Sequence, residues 1–158
     1  MKASFKTGLS FGLTSGVITT LGLMVGLHSG THSRTVVIGG ILTIAIADAM
    51  SDALGMHIAE ESKNHGVVLE IWESTIATFV AKFLIALTFV VPVLLLPLAA
   101  AMTVSVGWGL TLLAVLSYLL ARAQQIPAWK VITEHLVIGV SVIAITHYVG
   151  GWIHAAPT

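Results

Sequence analysis

Five runs of mostly apolar residues, each about as long as a bilayer crossing demands, dominate this 158-residue chain. A helix that crosses about 30 Å of hydrocarbon needs about 20 such residues. The runs cover roughly residues 8–28, 35–57, 74–98, 103–121 and 131–153. None alternates with a period of two, and in lipid only helices or closed barrels satisfy their own backbone. The expected fold is therefore all-α: a polytopic membrane protein with five transmembrane helices in a single domain spanning 1–158. Composition agrees. Hydrophobic residues make up 56% of the chain and charged residues 9%, against roughly 25% charged in a soluble domain; the mean hydropathy is +0.99.

Several classes of function are excluded early. The formal net charge is zero, so no nucleic-acid partner is expected. The absence of cysteine rules out thiolate metal sites and disulfides. No Ser–His–Asp set, glycine-rich phosphate loop or zinc-protease motif is present, and no enzymatic activity is expected.

Lys2 and Lys6 precede the first run as in a signal peptide. The run is of full spanning length and has no small-residue cleavage site, which indicates a retained helix. With the N-terminus in the cytoplasm, Lys2, Lys6, Lys63, Arg122 and Lys130 lie inside and Arg34 alone outside. This bias sets the orientation and leaves the C-terminus outside. A compact chain without a targeting extension points to a prokaryotic plasma (inner) membrane.

The connections are short. Residues 28–34 read as a Gly/Ser/Thr/His turn, 98–102 as a tight outer turn, and 122–130 as a break that contains Pro127. Residues 58–73 form the longest and most acidic connection. Pro92 and Pro97 predict a kink late in the third helix. Trp72, Trp108, Trp129 and Trp152 fall near helix ends, as an interfacial aromatic belt requires. His28, His147 and His154 read as isolated interfacial residues. Gly8, Gly12 and Gly16, then Gly22, Gly26 and Gly30, are spaced by four along the first helix. Such small faces permit close backbone approach, either within the chain or in a dimer.

The unexpected element is acid inside apolar sequence. Asp48, Asp52, Met56 and Glu60 recur at intervals of four in the second run, so they share one helix face. Counted back from His57 at 1.5 Å per residue, Asp52 lies roughly 7–8 Å deep and Asp48 roughly 13–14 Å. A charge at that depth costs on the order of 3 kcal/mol when unpaired, and two neighbouring carboxylates repel each other. The face must therefore meet the bundle interior, a second subunit or water. Carboxylate oxygens with a thioether suit a first-row divalent cation such as Fe(II) or Mn(II), and protons can replace the ion when it leaves. Lys82 lies at similar depth in the third helix and is the expected charge partner. The Lys–Asp pair can also be purely structural. His57, Glu61, Glu70 and Glu73 form a possible cytoplasmic vestibule, continued by His65 at the same spacing, or simply a solvated face.

Four stretches carry a family resemblance: FGLTSGVITTLGLMVGL (Phe11–Leu27), IADAMSDALGMHIAEES (Ile46–Ser62), ATFVAKFLIALTFVVPVLLLP (Ala77–Pro97) and HLVIGVSVIAITHYVGGWI (His135–Ile153). In order, and over nearly the whole chain, they resemble the vacuolar iron transporter family. The resemblance implies a dimeric divalent-metal/proton antiporter that moves Fe(II), and often Mn(II), out of the cytoplasm. Its path would run along the first two helices of both subunits, and its N-terminus would be cytoplasmic. The chain departs from the family at named positions. Phe11–Gly12 stands where the family has Asp–Gly, Ser51–Asp52 where it has Ser–Met, and Gly55–Met56–His57 where it has Gly–Glu–Tyr. The long cytoplasmic metal-gathering hairpin is replaced by residues 58–73.

The expected function is thus export of Fe(II) or Mn(II) by a homodimer in exchange for protons, with Asp48, Asp52, Met56 and Glu60 as the transport residues. No permanently bound cofactor is expected. The alternatives are a non-transporting scaffold or accessory protein of this fold, and a proton-coupled transporter of another small solute.

Overall fold

The computed structural model describes residues 3–63 and 68–156. It contains helices α1 (Ala3–Thr31), α2 (Arg34–Lys63), α3 (Val68–Thr88), α4 (Val90–Leu95), α5 (Leu98–Gln124) and α6 (Ala128–Ala155), with no strand among the described residues. Taking α3 and α4 together, five helical segments are long and apolar enough to cross a bilayer. This is the architecture of an integral membrane protein. Successive spanning segments run in opposite directions, so Lys6, Lys63, Arg122 and Lys130 gather at one end of the bundle and Arg34 lies at the other.

The helices outrun the apolar segments of the sequence. α2 continues to Lys63 and α3 begins at Val68, so most of the acidic 58–73 connection is helical. Ala, Glu and Lys are good helix formers, and leaving the bilayer does not end a helix. His65 lies outside the described residues, as does Lys2. Residues 98–102, expected as a turn, form the first helical turn of α5 instead. The reversal falls at Leu96–Pro97, where Leu96 is extended (φ −116°, ψ 158°), as the residue before a proline prefers. The expected break in the third span is real but lies at Phe89. Pro92 has no N–H to offer the Thr88 carbonyl, and the Phe89 N–H bonds three residues back to Ala86 O at 3.1 Å.

α1 is the axis of the molecule, and α2, α3, α5 and α6 surround it. Its two glycine trios serve two neighbours. A Cβ on Gly8 would fall on the Ser74 carbonyl, and one on Gly12 would stand 2.5 Å from Thr78 O. A Cβ on Gly16 would crowd Ile85 and the Lys82 stem. This trio therefore packs against α3 of the same chain. Gly22 faces Val142, Gly26 faces Thr146 and Gly30 faces Gly150, all on α6. The buried apolar core occupies the Arg34 half of the bundle: Val17, Leu21 and Met24 on α1, Val37 and Ile41 on α2, Phe89 and Val93 at the break, and Leu113 on α5.

Trp108 is not part of an interfacial belt. Because α5 starts at Leu98, Trp108 sits about 15 Å along the helix. Its indole N–H donates to Thr88 Oγ1 at 3.2 Å, a polar contact that makes the depth tolerable.

Candidate functional site at mid-bundle

The centre of the molecule holds its only fully buried charged side chain among the described residues. Lys82 is 1% exposed. It stands 14 residues after Val68 and 13 before Leu95, the midpoint of its span. Asp48 stands 14 residues after Arg34 and 15 before Lys63, the midpoint of α2. Depth read from the sequence is therefore depth in the bundle, and the two midpoints meet. Lys82 Nζ lies 2.6 Å from Asp48 Oδ2, an ion pair outside hydrogen-bond angles. It donates to Asp52 Oδ2 and, at 2.9 Å, to Ser15 Oγ. Ser15 Oγ in turn donates to Asp52 Oδ2 at 2.6 Å. Lysine, hydroxyl and carboxylate thus close a three-membered ring of contacts, with Asp48 as a fourth point.

Local sequence explains why these groups can meet. Asp48 and Asp52 are one turn apart, so a single ammonium reaches both. Ser74, Thr78 and Lys82 repeat at four along the α3 face that meets Gly8, Gly12 and Gly16. Ser74 and Thr78 return their hydroxyls to helix carbonyls, and Thr78 also reaches Gly8 O at 3.2 Å. The glycines remove the side chains that would hold α1 away. At Gly16 the space is taken first by Ile85 Cγ2 and then by the stem of Lys82, whose Cγ lies 3.2 Å from where a Cβ would stand. That close approach brings the neighbouring Ser15 to the ammonium. Ser15 was not legible as a site residue. Its signal is the Ser–Gly pair in GLTSGV, one turn beyond Phe11.

With all three ionised, two carboxylates and one ammonium carry a net charge of −1. One further positive charge, a proton or a cation, completes neutrality. The ammonium is shut away, but the carboxylates are not: the Asp48 and Asp52 side chains are 27% and 22% exposed. A groove of about 450 Å³ between α1 and α2, lined by Leu23, Leu27, Gly40 and Thr43 among others, ends on Asp48.

The other expected site residues lie elsewhere. Met56 is half-buried one turn beyond Asp52. Glu60 is buried and pairs with Lys63 at 3.5 Å, three residues on along its own helix. Among the described residues, no three His, Asp or Glu side chains are arranged to hold a metal ion. The residues expected as a vestibule do share the Lys63 end. His57 Nδ1 contacts Thr75 Oγ1 at 3.0 Å. Thr75 spends its own proton on Ile71 O, so His57 is the donor. Its ring meets Trp72 edge-on at 4.9 Å. Glu61 is exposed and Glu70 half-buried, while Glu73 accepts from Ser4 Oγ at 3.3 Å and ties α1 to α3. Phe11 is 43% exposed and takes no part in the central cluster.

Comparison with family models, with curated proteins and with solved structures finds no match to this chain, so the likeness to vacuolar iron transporters rests on the quoted residues alone.

Proposed function

We propose that the protein is a membrane transporter that exchanges a divalent transition metal, Fe(II) or Mn(II), for protons at Asp48, Asp52 and Lys82. One observation carries this reading: a buried ammonium held at mid-depth by two partly exposed carboxylates, one of which, Asp48, lines a groove. In the cargo-free state, Lys82 keeps its proton and one proton on the carboxylates brings the set to neutrality. A divalent ion on both carboxylates displaces the ammonium and the extra proton. Neutrality then also requires Lys82 to give up its proton. Each ion is thereby exchanged for two protons, and the site remains neutral throughout, which keeps its cost in lipid low.

A second copy would complete the site. The exposed face of α2 beside the carboxylates carries Gly39, Thr43, Ala47, Ser51 and Gly55 at intervals of four, and nothing stands within 4 Å of a Cβ at Gly39 or Gly55. A small-residue stripe of this kind is what helix association in lipid uses, and a homodimer there would screen Asp48 and Asp52 from acyl chains. In the orientation favoured by basic residues, the Lys63 end faces the cytoplasm and Glu61 and Glu70 lie at the approach.

The test is metal uptake in proteoliposomes with a lumenal pH dye. Wild type is expected to move metal with two protons in return, and Asp52→Asn to abolish both fluxes. A structural reading is favoured by one specific feature, the near-complete internal pairing of Lys82. In that case the neutral variant Lys82→Met/Asp48→Asn/Asp52→Asn would fold, and the wild type would move no metal.

A further inference from the structure

The reversal between α5 and α6 sets two cations at one height, at the end of the bundle that also carries Lys6 and Lys63. Two contacts give the register of this hairpin. A Cβ on Gly139 would stand 2.9 Å from Leu113 Cδ2. Four residues nearer the reversal on each helix, Ser117 Oγ lies 2.8 Å from His135 Nδ1. Ser117 spends its own proton on Leu113 O, so the imidazole is the donor. Five residues further on each helix, the same register brings Arg122 level with Lys130. Gln125 then closes α5 in a left-handed turn (φ 57°), and α6 starts after Pro127. Helices in contact lie about 8–10 Å apart, so an arginine and a lysine at one height can reach a shared anion.

We propose that Arg122 and Lys130 form a binding site for the phosphate of an anionic phospholipid headgroup. Three observations support it. Both side chains are exposed, and among the described residues neither charged group enters an ion pair or a side-chain hydrogen bond. Each also stands by an aromatic ring. Arg122 Cζ is 6.0 Å from the centre of the Tyr118 ring, and Lys130 Nζ is 5.7 Å from that of Trp129. Tyrosine and tryptophan near the end of a span mark the headgroup level of a bilayer, and both rings face outward from the bundle. Lastly, the acids of this end are grouped elsewhere. Glu60, Glu61, Glu70 and Glu73 belong to α2 and α3, whereas α5 and α6 pack mainly on each other and on α1. Glu134 lies one turn deeper than Lys130 along α6, without an ion pair to it.

The donor set selects the ligand. A guanidinium presents a planar fork that matches two phosphate oxygens, and an ammonium adds a point charge with three donors. A phosphodiester supplies the acceptor that both cations lack. Depth selects the source: the rings place the pair among lipid headgroups rather than in bulk water. A zwitterionic headgroup carries the same phosphate together with its own cation, which competes for it. Basic groups at this level therefore favour lipids of net negative charge, such as phosphatidylglycerol. The site stands whether or not the mid-bundle cluster transports anything.

The experiment titrates phosphatidylglycerol, and phosphatidylcholine in parallel, into the full chain in neutral detergent micelles and counts bound lipid by native mass spectrometry. Wild type is expected to hold one phosphatidylglycerol more tightly than any phosphatidylcholine. Arg122→Gln and Lys130→Gln are each expected to weaken that binding about fivefold, and the double variant more than tenfold. Both positions are exposed, so the folds of the variants are expected to match wild type by circular dichroism. Lys6→Gln removes a cation from the same end but not from the hairpin, and is expected to leave the affinity unchanged. Equal affinity for the two lipids overturns the proposal. So does a Lys6→Gln variant weakened as much as the hairpin variants, which would mean diffuse charge rather than a site. Displacement of the lipid by inorganic phosphate at equal concentration also overturns it, and assigns the pair to a soluble anion.

Discussion

Replacing Lys82 with methionine tests the central cluster most directly. Methionine keeps the length and apolar stem that fill the space beside Gly16, so the change removes little but charge and donors. Two carboxylates at mid-bundle then face each other uncompensated, and Ser15 keeps one acceptor and loses one donor. Breaking a buried ion pair by deleting one partner costs about 3–5 kcal/mol. Here the carboxylates are 27% and 22% exposed, so the lower end, about 3 kcal/mol, is expected. Neutralising all three groups in Lys82→Met/Asp48→Asn/Asp52→Asn is expected to recover stability to within about 1 kcal/mol of wild type, because apolar or neutral replacements of buried pairs are often close to neutral. Denaturant unfolding in micelles, followed by far-ultraviolet circular dichroism, measures both. If Lys82→Met costs less than about 1 kcal/mol, or the neutral variant is as unstable as the single one, charge compensation is not what Lys82 supplies. The account of the site would then be wrong.

Other perturbations separate the roles of neighbouring residues. Ser15→Ala removes a donor to Asp52 and an acceptor for Lys82, and is expected to cost about 1.5–3 kcal/mol and to slow metal flux in liposomes. Gly12→Val would drive a side chain into the Thr78 carbonyl, which lies 2.5 Å from the Cβ position; a loss of at least about 2 kcal/mol is expected from overpacking, read by the same unfolding assay. Gly55→Leu meets nothing within 4 Å in the single chain and is expected to leave its unfolding unchanged while shifting a dimer toward monomer in light scattering.

The helical class and the five spans were legible because length and apolarity alone force them in lipid. That Lys82 pairs with an aspartate of the second helix could be expected from their equal depth, but not that one ammonium reaches both Asp48 and Asp52. What the sequence hid was contact that depends on how helices rotate about their axes. Ser15 looks like any hydroxyl between two glycines until α1 turns it toward α3. Glu60 belongs by spacing to the acidic stripe, yet Lys63 claims it locally. His28, His147 and His154 looked isolated because the nearness of their helix ends comes from parallel α1 and α6, far apart in the chain. Trp108 was misplaced because the start of α5 is set by Pro97 rather than by hydropathy.

The interruption at Phe89 divides the third span into unequal arms. Phe89 lies seven residues past Lys82, about 10 Å along the axis, and the short arm beyond it, Val90–Leu95, has lost a helical hydrogen bond at Pro92. Its far tip is held from another direction, where Arg34 donates to Leu96 O at 2.7 Å. The long arm is anchored by the buried ammonium, and the short one by a guanidinium at the bundle's end. Core packing at Val93 and the guanidinium at the tip thus fix the short arm independently of the charges at the centre.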